Sequence, residues 1–374
     1  MNIFFYVNLI FIVLYIISCN DKKNNNIYFY ICCIIMFLIT GFHNGYGDRY
    51  GYGYDFPEYM HYFQGKSSIY GYLDHYDLEL PYYYFCKLLG FLGKSDFVYI
   101  FGCALFFGIP FVLFVKKYSN NYPVSFFLLF TILNTSTFLT FLAAHRQMIA
   151  TTMFMWGIYF YYNFKIKGVN WKSKLKSSLI CCFIIIALLA HSSSYFVLPF
   201  IIIVYCINID DIKAQYLLWG SFFIGLLLVP ELQVIFSEFI IKLSVFDVLD
   251  RTTHYTTENI YEYNEVGIFN LLPLTLLVSL AVFYSKKEEI KTFHTKSMIF
   301  AAVMRNLFFT IPLINRGLFL FILVGITGFI PPSIKHSKCY KVLFFMLMIL
   351  FLYLAYRNYT SKSFRLNPFN FIWE

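Results

Sequence analysis

Seven arginines, Arg49, Arg146, Arg251, Arg305, Arg316, Arg357 and Arg365, are the residues from which a chemistry can be argued. Arg49 lies in Gly45-Tyr-Gly-Asp-Arg-Tyr-Gly-Tyr-Gly-Tyr-Asp-Phe-Pro-Glu-Tyr59, six residues before Asp55. Arg146 stands between His145 and Gln147 where an apolar run begins, and Arg251 belongs to Asp250-Arg-Thr-Thr-His-Tyr255. Arg316 follows Ile314-Asn315. A guanidinium is a rigid, permanently charged fork that matches phosphate oxygens. The glycines around Arg49 allow tight turns and close backbone approach. The tyrosines can stack on sugar rings and hydrogen-bond to hydroxyls. Asp55 adds a carboxylate beside an anion binder. His191, in His191-Ser-Ser-Ser194, is a second candidate for proton transfer, because an imidazole titrates near neutrality. The serines suit a helix cap. With no nucleophile-elbow sequence, serine catalysis is not expected. The cysteines lie mostly in apolar runs without zinc or redox spacing, so they read as small core residues. Neither a metal nor a cofactor is expected.

The elements that carry these residues are apolar helices. The chain has 374 residues, of which 59% are hydrophobic and 13% charged, and this composition excludes an ordinary soluble domain. Apolar runs of spanning length recur from end to end with charge between them, the pattern of a polytopic helical membrane protein. The expected fold is all-α, one transmembrane domain over residues 1–374. About twelve spans are expected, near 2–19, 27–42, 97–115, 122–143, 146–163, 178–190, 194–207, 214–230, 266–284, 297–312, 317–331 and 342–357. The apolar segment 80–93 reads as an interfacial helix. Two larger outer loops are expected, about 43–79 and 231–265. The first run lacks a basic start and a small-residue cleavage site, so it reads as a retained span.

Lysines fall in alternate short loops, at Lys22/Lys23, Lys116/Lys117, Lys165–Lys176, Lys213, Lys286–Lys296 and Lys335–Lys341, which assigns those loops to the cytoplasm. The net charge of +9 is then a topological signal, and nucleic acid is not an expected partner. The arginines run against that rule. Each lies on the outer side, at a helix end facing it, or inside a span. A cavity lined by arginines on that side suits a lipid-linked phosphate or pyrophosphate. Snorkelling at helix ends is the competing explanation, strongest for Arg357 and Arg365.

Taken in order, these segments resemble the EpsG family of bacterial exopolysaccharide proteins and the related O-antigen polymerases of the Wzy type. The pieces are Arg49-x-Gly51-x-x-x-Asp55-x-x-x-Tyr59, Arg146-Gln147-x-x-Ala150, His191-Ser192-Ser193, Arg251-x-x-x-Tyr255, Arg316 and the tail Asn367-Pro-Phe-Asn-Phe371. The resemblance implies a glycosyltransferase that polymerises oligosaccharide repeat units carried on undecaprenyl diphosphate. It implies a site on the outer face of the bacterial plasma membrane. Arg49, Tyr59, Arg146, Gln147, Arg251, Tyr255 and Arg316 would bind substrate and diphosphate, and Asp55 or His191 would be the base. Partners would be the lipid-linked glycan, the bilayer and a polysaccharide chain-length regulator. A lipid-linked oligosaccharide flippase or transporter, and an O-antigen ligase, are the alternatives. Charge concentrated on one side disfavours the former, and motif order disfavours the latter.

Overall fold

The computed structural model describes residues 3–42, 55–66, 80–119, 145–163, 171–191, 193–243, 268–309, 312–333, 342, 346–354 and 356. Among them all regular structure is helical. Helices stand at the expected positions, except that 122–143 lies outside the described residues. Where the sequence reads as one domain, contacts divide the chain into two compact units, Met1–His191 with Phe351–Glu374, and Ser192–Leu350.

The first unit begins with α1 (Ile3–Asn20) and α2 (Asn25–Phe42). Asp21 between them accepts from the side chains of Asn24 and Tyr28, which holds its carboxyl below the ordinary carboxylate range. Next come α3 (Asp55–Gln64), α4 (Leu80–Gly90), α5 (Asp96–Tyr118), α6 (His145–Asn163) and α7 (Trp171–Ala190). Of the helices, α2 and α5 are long and apolar enough to cross a membrane. In α5 the buried positions Tyr99, Cys103, Phe107, Pro110 and Phe114 recur at helical spacing, and this stripe is the wall on which the unit is built. At Gly41 of α2 a side chain would meet the Ala104 Cβ of α5 at 3.4 Å, so a glycine lets the two helices close up.

One short helix lies within the expected outer loop over 43–79. The Gly/Tyr-rich stretch ends in α3, so Asp55 through Tyr59 are helical rather than loop. Pro57 fits the first turn, where a missing N–H costs nothing. The helix stops in a Schellman turn: Lys66 N–H donates to the His61 carbonyl at 2.8 Å, Gly65 N–H to Tyr62 at 3.0 Å, and Gly65 has φ 72°. The Gln64 side chain donates to Asp96 at the start of α5, tying the end of α3 to the wall.

The second unit contains α8 (Ser194–Cys206), α9 (Asp211–Leu243), α10 (Ile268–Tyr284), the single turn α11 (Lys287–Ile290), α12 (Phe293–Phe308) and α13 (Pro312–Ser333). A polar lattice joins three of them. Asn306 of α12 accepts from Thr275 of α10 at 3.1 Å and donates to Ser221 Oγ of α9 at 3.1 Å and to the Leu218 carbonyl at 3.3 Å. One turn along α10, Ser279 donates to Gln215 at 2.6 Å and accepts from Trp219 Nε1 at 3.1 Å. His294 reaches the Val324 carbonyl of α13 at 2.9 Å. In an apolar surround such bonds fix helix register, because the alternative is an unsatisfied polar group.

The loop expected over 231–265 is in part helix. Instead of stopping at Pro230, α9 bends at Leu228 (φ −121°, ψ 17°) and runs on to Leu243. Proline removes one intrahelical bond and crowds the carbonyl four residues back, which kinks a helix without having to end it. Residues 244–267, with the rest of that loop, lie outside the described residues.

Backbone contact between α9 and α12 is closest at Gly225, where a Cβ would collide with the carbonyl oxygen of Asn306, while one at Gly220 would meet nothing within 4 Å. Gly225→Ala should therefore lower stability by about 1–3 kcal/mol through forced separation of the helices. Gly220→Ala should be neutral or stabilising, since alanine is the better helix former. Thermal unfolding of the two purified variants in detergent checks this, and equal melting temperatures would contradict it.

Candidate functional site

A buried aromatic and polar cluster forms where α3, α4, α5 and α6 meet in the first unit. Each helix contributes through its apolar stripe. From α3 come Glu58, Tyr59, Met60 and Phe63, all buried. From α4 come Tyr82, Phe85, Cys86 and Leu89, while Tyr83 and Tyr84 point outward. Tyr99, Cys103 and Phe107 come from α5, and α6 opens on buried His145, half-buried Arg146 and buried Gln147.

The polar tips within this shell find one another. The hydroxyls of Tyr82 and Tyr99 lie 3.0 Å apart, and the Tyr99 hydroxyl lies 2.7 Å from His145 Nδ1, with Cys103 Sγ at 3.8 Å from the same nitrogen. The rings pack around this chain. Tyr59 stacks on the His145 imidazole at 5.6 Å between centroids and tilts against Tyr82 at 5.2 Å. Phe63 packs on Tyr99 at 5.1 Å, and Phe107 lies 5.8 Å from His145. Buried phenols need partners for their hydroxyls, and here two phenols and an imidazole supply them to each other.

Tyr59 also holds Arg146. The Arg146 Nε–H donates to the Tyr59 hydroxyl at 3.1 Å, and the guanidinium carbon lies 5.6 Å from the Tyr59 ring centroid. The bond takes one of the five guanidinium donors and sets the direction of the fork. Arg146 is the second described residue of α6, and its guanidinium brings a full positive charge to the edge of this shell. Tyr59 is in turn clamped by His145 and Tyr82. The cation thus rests on a wall of rings.

Of the residues expected to bind substrate, the structure brings Tyr59 and Arg146 into contact across 87 positions of chain, with Gln147 buried beside them. Asp55 heads α3, one turn before Tyr59, and its side chain lies outside the described set. Arg49, Arg251 and Tyr255 lie outside the described residues. Arg316 is in the second turn of α13, again without a described side chain. His191 is buried in the turn after α7. The histidine placed beside Tyr59 and Arg146 is His145. Sequence reasoning missed Tyr82 and Tyr99 altogether. The signal was present: each is the hydroxyl-bearing residue of an otherwise apolar helical stripe.

The class defined by these features is an all-helical membrane protein with a cation presented on a buried aromatic shell. Residues 37–371, from the last turns of α2 to the C-terminal tail, match the model of the EpsG family, and the chain belongs to that family. No curated protein and no solved structure matches the chain. Polysaccharide polymerisation of glycosyltransferase type is the activity the family suggests.

Tyr99→Phe removes only the hydroxyl between Tyr82 and His145, leaving two buried polar atoms each short of one hydrogen bond. It should cost about 1 kcal/mol or more in stability. Tyr84→Phe, at a residue 62% exposed, should cost nothing. Melting temperatures of the two variants test the chain, and an unshifted Tyr99→Phe would deny it a structural role.

Proposed function

We propose that the protein polymerises undecaprenyl-diphosphate-linked oligosaccharide repeat units at the outer face of the bacterial plasma membrane. The observation that carries this reading is the hydrogen bond from Arg146 to Tyr59. It joins two of the sequence segments on which the family resemblance rests and fixes a guanidinium against a tyrosine ring.

The reaction makes specific demands. An acceptor hydroxyl oxygen forms a bond to the anomeric carbon of the donor glycan. The bond from that carbon to the phosphate oxygen breaks, and its electron pair leaves on undecaprenyl diphosphate. The hydroxyl proton passes to a base, for which Asp55 and His191 are the candidates. Negative charge grows on the diphosphate as the bond breaks. Prearranged cations stabilise that change more than they stabilise the ground state, and this difference is what accelerates the step. Arg146 supplies one such cation, and Arg49, Arg251 and Arg316 are proposed as the others. Tyr59 orients Arg146, while Gln147 and Tyr255 serve the glycan. Energy comes from the diphosphate linkage, so no nucleotide sugar is needed. The lysine-bearing loops face the cytoplasm in this reading.

Arg146→Ala should reduce polymer formation by about 10²–10³-fold. Tyr59→Phe, which keeps the ring and loses the hydroxyl, should reduce it by about tenfold, the loss of one hydrogen bond. Glycan gels of cells carrying each variant at matched protein level give the readout. A ladder collapsing to a single repeat on the cell surface supports the polymerase. Absence of any surface glycan would indicate a flippase, and free chains of full length would indicate a ligase. A wild-type ladder from Arg146→Ala would sink the proposal.

A further inference from the structure

Arg305 lies in the last turn of α12, twelve residues after Phe293 and so about 18 Å along the helix from its lysine-rich end. Its position on the helix is an interior one. The buried residues Met298, Ala301 and Ala302 recur at helical spacing, and the next place in that stripe is residue 305. The neighbouring faces are already occupied. Asn306 turns to α9 and α10, where its amide bonds to Thr275, Ser221 and Leu218. Met304 and Phe308 pack on Ile314 and Leu318 of α13.

A cation ending an apolar stripe is ordinarily matched by a carboxylate, or folds back onto the last carbonyls of its own helix. Among the described residues Arg305 does neither. Its one described neighbour of electrostatic consequence is the Phe309 ring, 5.5 Å from the guanidinium carbon. A ring face attracts a cation but does not use its N–H donors. By contrast Lys296, at the other end of the same helix, reaches the Tyr205 carbonyl at 3.3 Å. The α12–α13 hairpin therefore carries a half-buried guanidinium whose five donors meet no acceptor among the described residues. Such a group offers its donors to an anion that can enter an apolar surround, and a phosphate ester attached to a lipid is of that kind. Arg316 stands on the other arm of the hairpin, in the second turn of α13, which places a second cationic residue near the same end.

We infer that Arg305 is a binding residue for lipid-borne phosphate, held at the tip of the α12–α13 hairpin. The inference rests on the polymerase reading only for the identity of the lipid, the diphosphate of the carrier. A phospholipid headgroup offers the same chemistry.

The two sources are separated by titrating the full-length protein in nanodiscs with undecaprenyl diphosphate and, separately, with phosphatidylglycerol. The proteins compared are wild type, Arg305→Met, Arg305→Lys and Arg146→Ala. Without either lipid, Arg305→Met should melt at or above the wild-type temperature, since an unmatched charge has been removed. With lipid, it should bind at least tenfold more weakly, and Arg305→Lys should recover part of the loss. Weakening for undecaprenyl diphosphate assigns Arg305 to the carrier, and weakening for phosphatidylglycerol alone assigns it to a resident phospholipid. If Arg305→Met fails to fold, Arg305→Lys decides: binding equal to wild type with both lipids overturns the inference. Equal binding by Arg305→Met, or no binding of either lipid by wild type, overturns it as well. Weakening by Arg146→Ala with none by Arg305→Met would reject Arg305 while leaving the polymerase reading intact.

Discussion

A guanidinium at the edge of an apolar interior must be held before it can act. Left alone, a long flexible cation turns toward water or toward the nearest carbonyl. The bond from Arg146 to Tyr59 prevents this, and much of the first unit exists to make that bond possible. Tyr59 is fixed by its ring, between His145 and Tyr82, and those two are fixed by their polar atoms through Tyr99. Tyr99 belongs to the buried stripe of α5, a helix long and apolar enough to cross a membrane. The order of support runs from a long apolar helix, through a phenol, to an imidazole, to a second phenol, and last to the charge.

The second unit uses the same currency of buried polar contacts for another end. There the partners are neutral. Asn306 bonds to Thr275 and Ser221, Ser279 bonds to Gln215, and the two sets lock α9, α10 and α12 in register. Gly225 permits the close approach that brings Asn306 within reach of α9. A neutral network of this kind gives rigidity without attracting ions, so Arg305 stands out against it as the group that was not absorbed.

The helices were legible because lipid leaves so few options. Apolar runs of spanning length, ended by lysines, predict helices, and helices lie there. Charge and proline were less reliable as punctuation. Glu231 and Pro230 suggest the end of a span, yet Leu232, Ile235, Phe239 and Ile240 keep a helical spacing that carries α9 to Leu243. The Gly/Tyr stretch looks like a loop throughout, but Asp55-Phe-Pro-Glu offers two acids and a proline suited to a first turn, and α3 begins there. At the site, Tyr59 and Arg146 were legible as members of motifs. Their supports were not, because Tyr82 sits in a run of three tyrosines and only the burial phase of α4 tells which one turns inward. His145 was visible beside Arg146 but carried no sign of its stacking partner, which lies 86 positions earlier in the chain.

The Tyr82–Tyr99–His145 chain has one more property. Each phenol owns a single proton, so the chain has a polarity, and its links must all point the same way. If Tyr82 donates to Tyr99 and Tyr99 to Nδ1, the imidazole carries its own proton on Nε2. If Nδ1 donates to Tyr99 and Tyr99 to Tyr82, Nε2 is bare. The tautomer of the ring stacked beneath Tyr59 is thus coupled to the orientation of a hydroxyl on α4, two hydrogen bonds away. Each orientation of that hydroxyl is matched by one position of the imidazole proton, on Nδ1 or on Nε2, with every heavy atom in the same place.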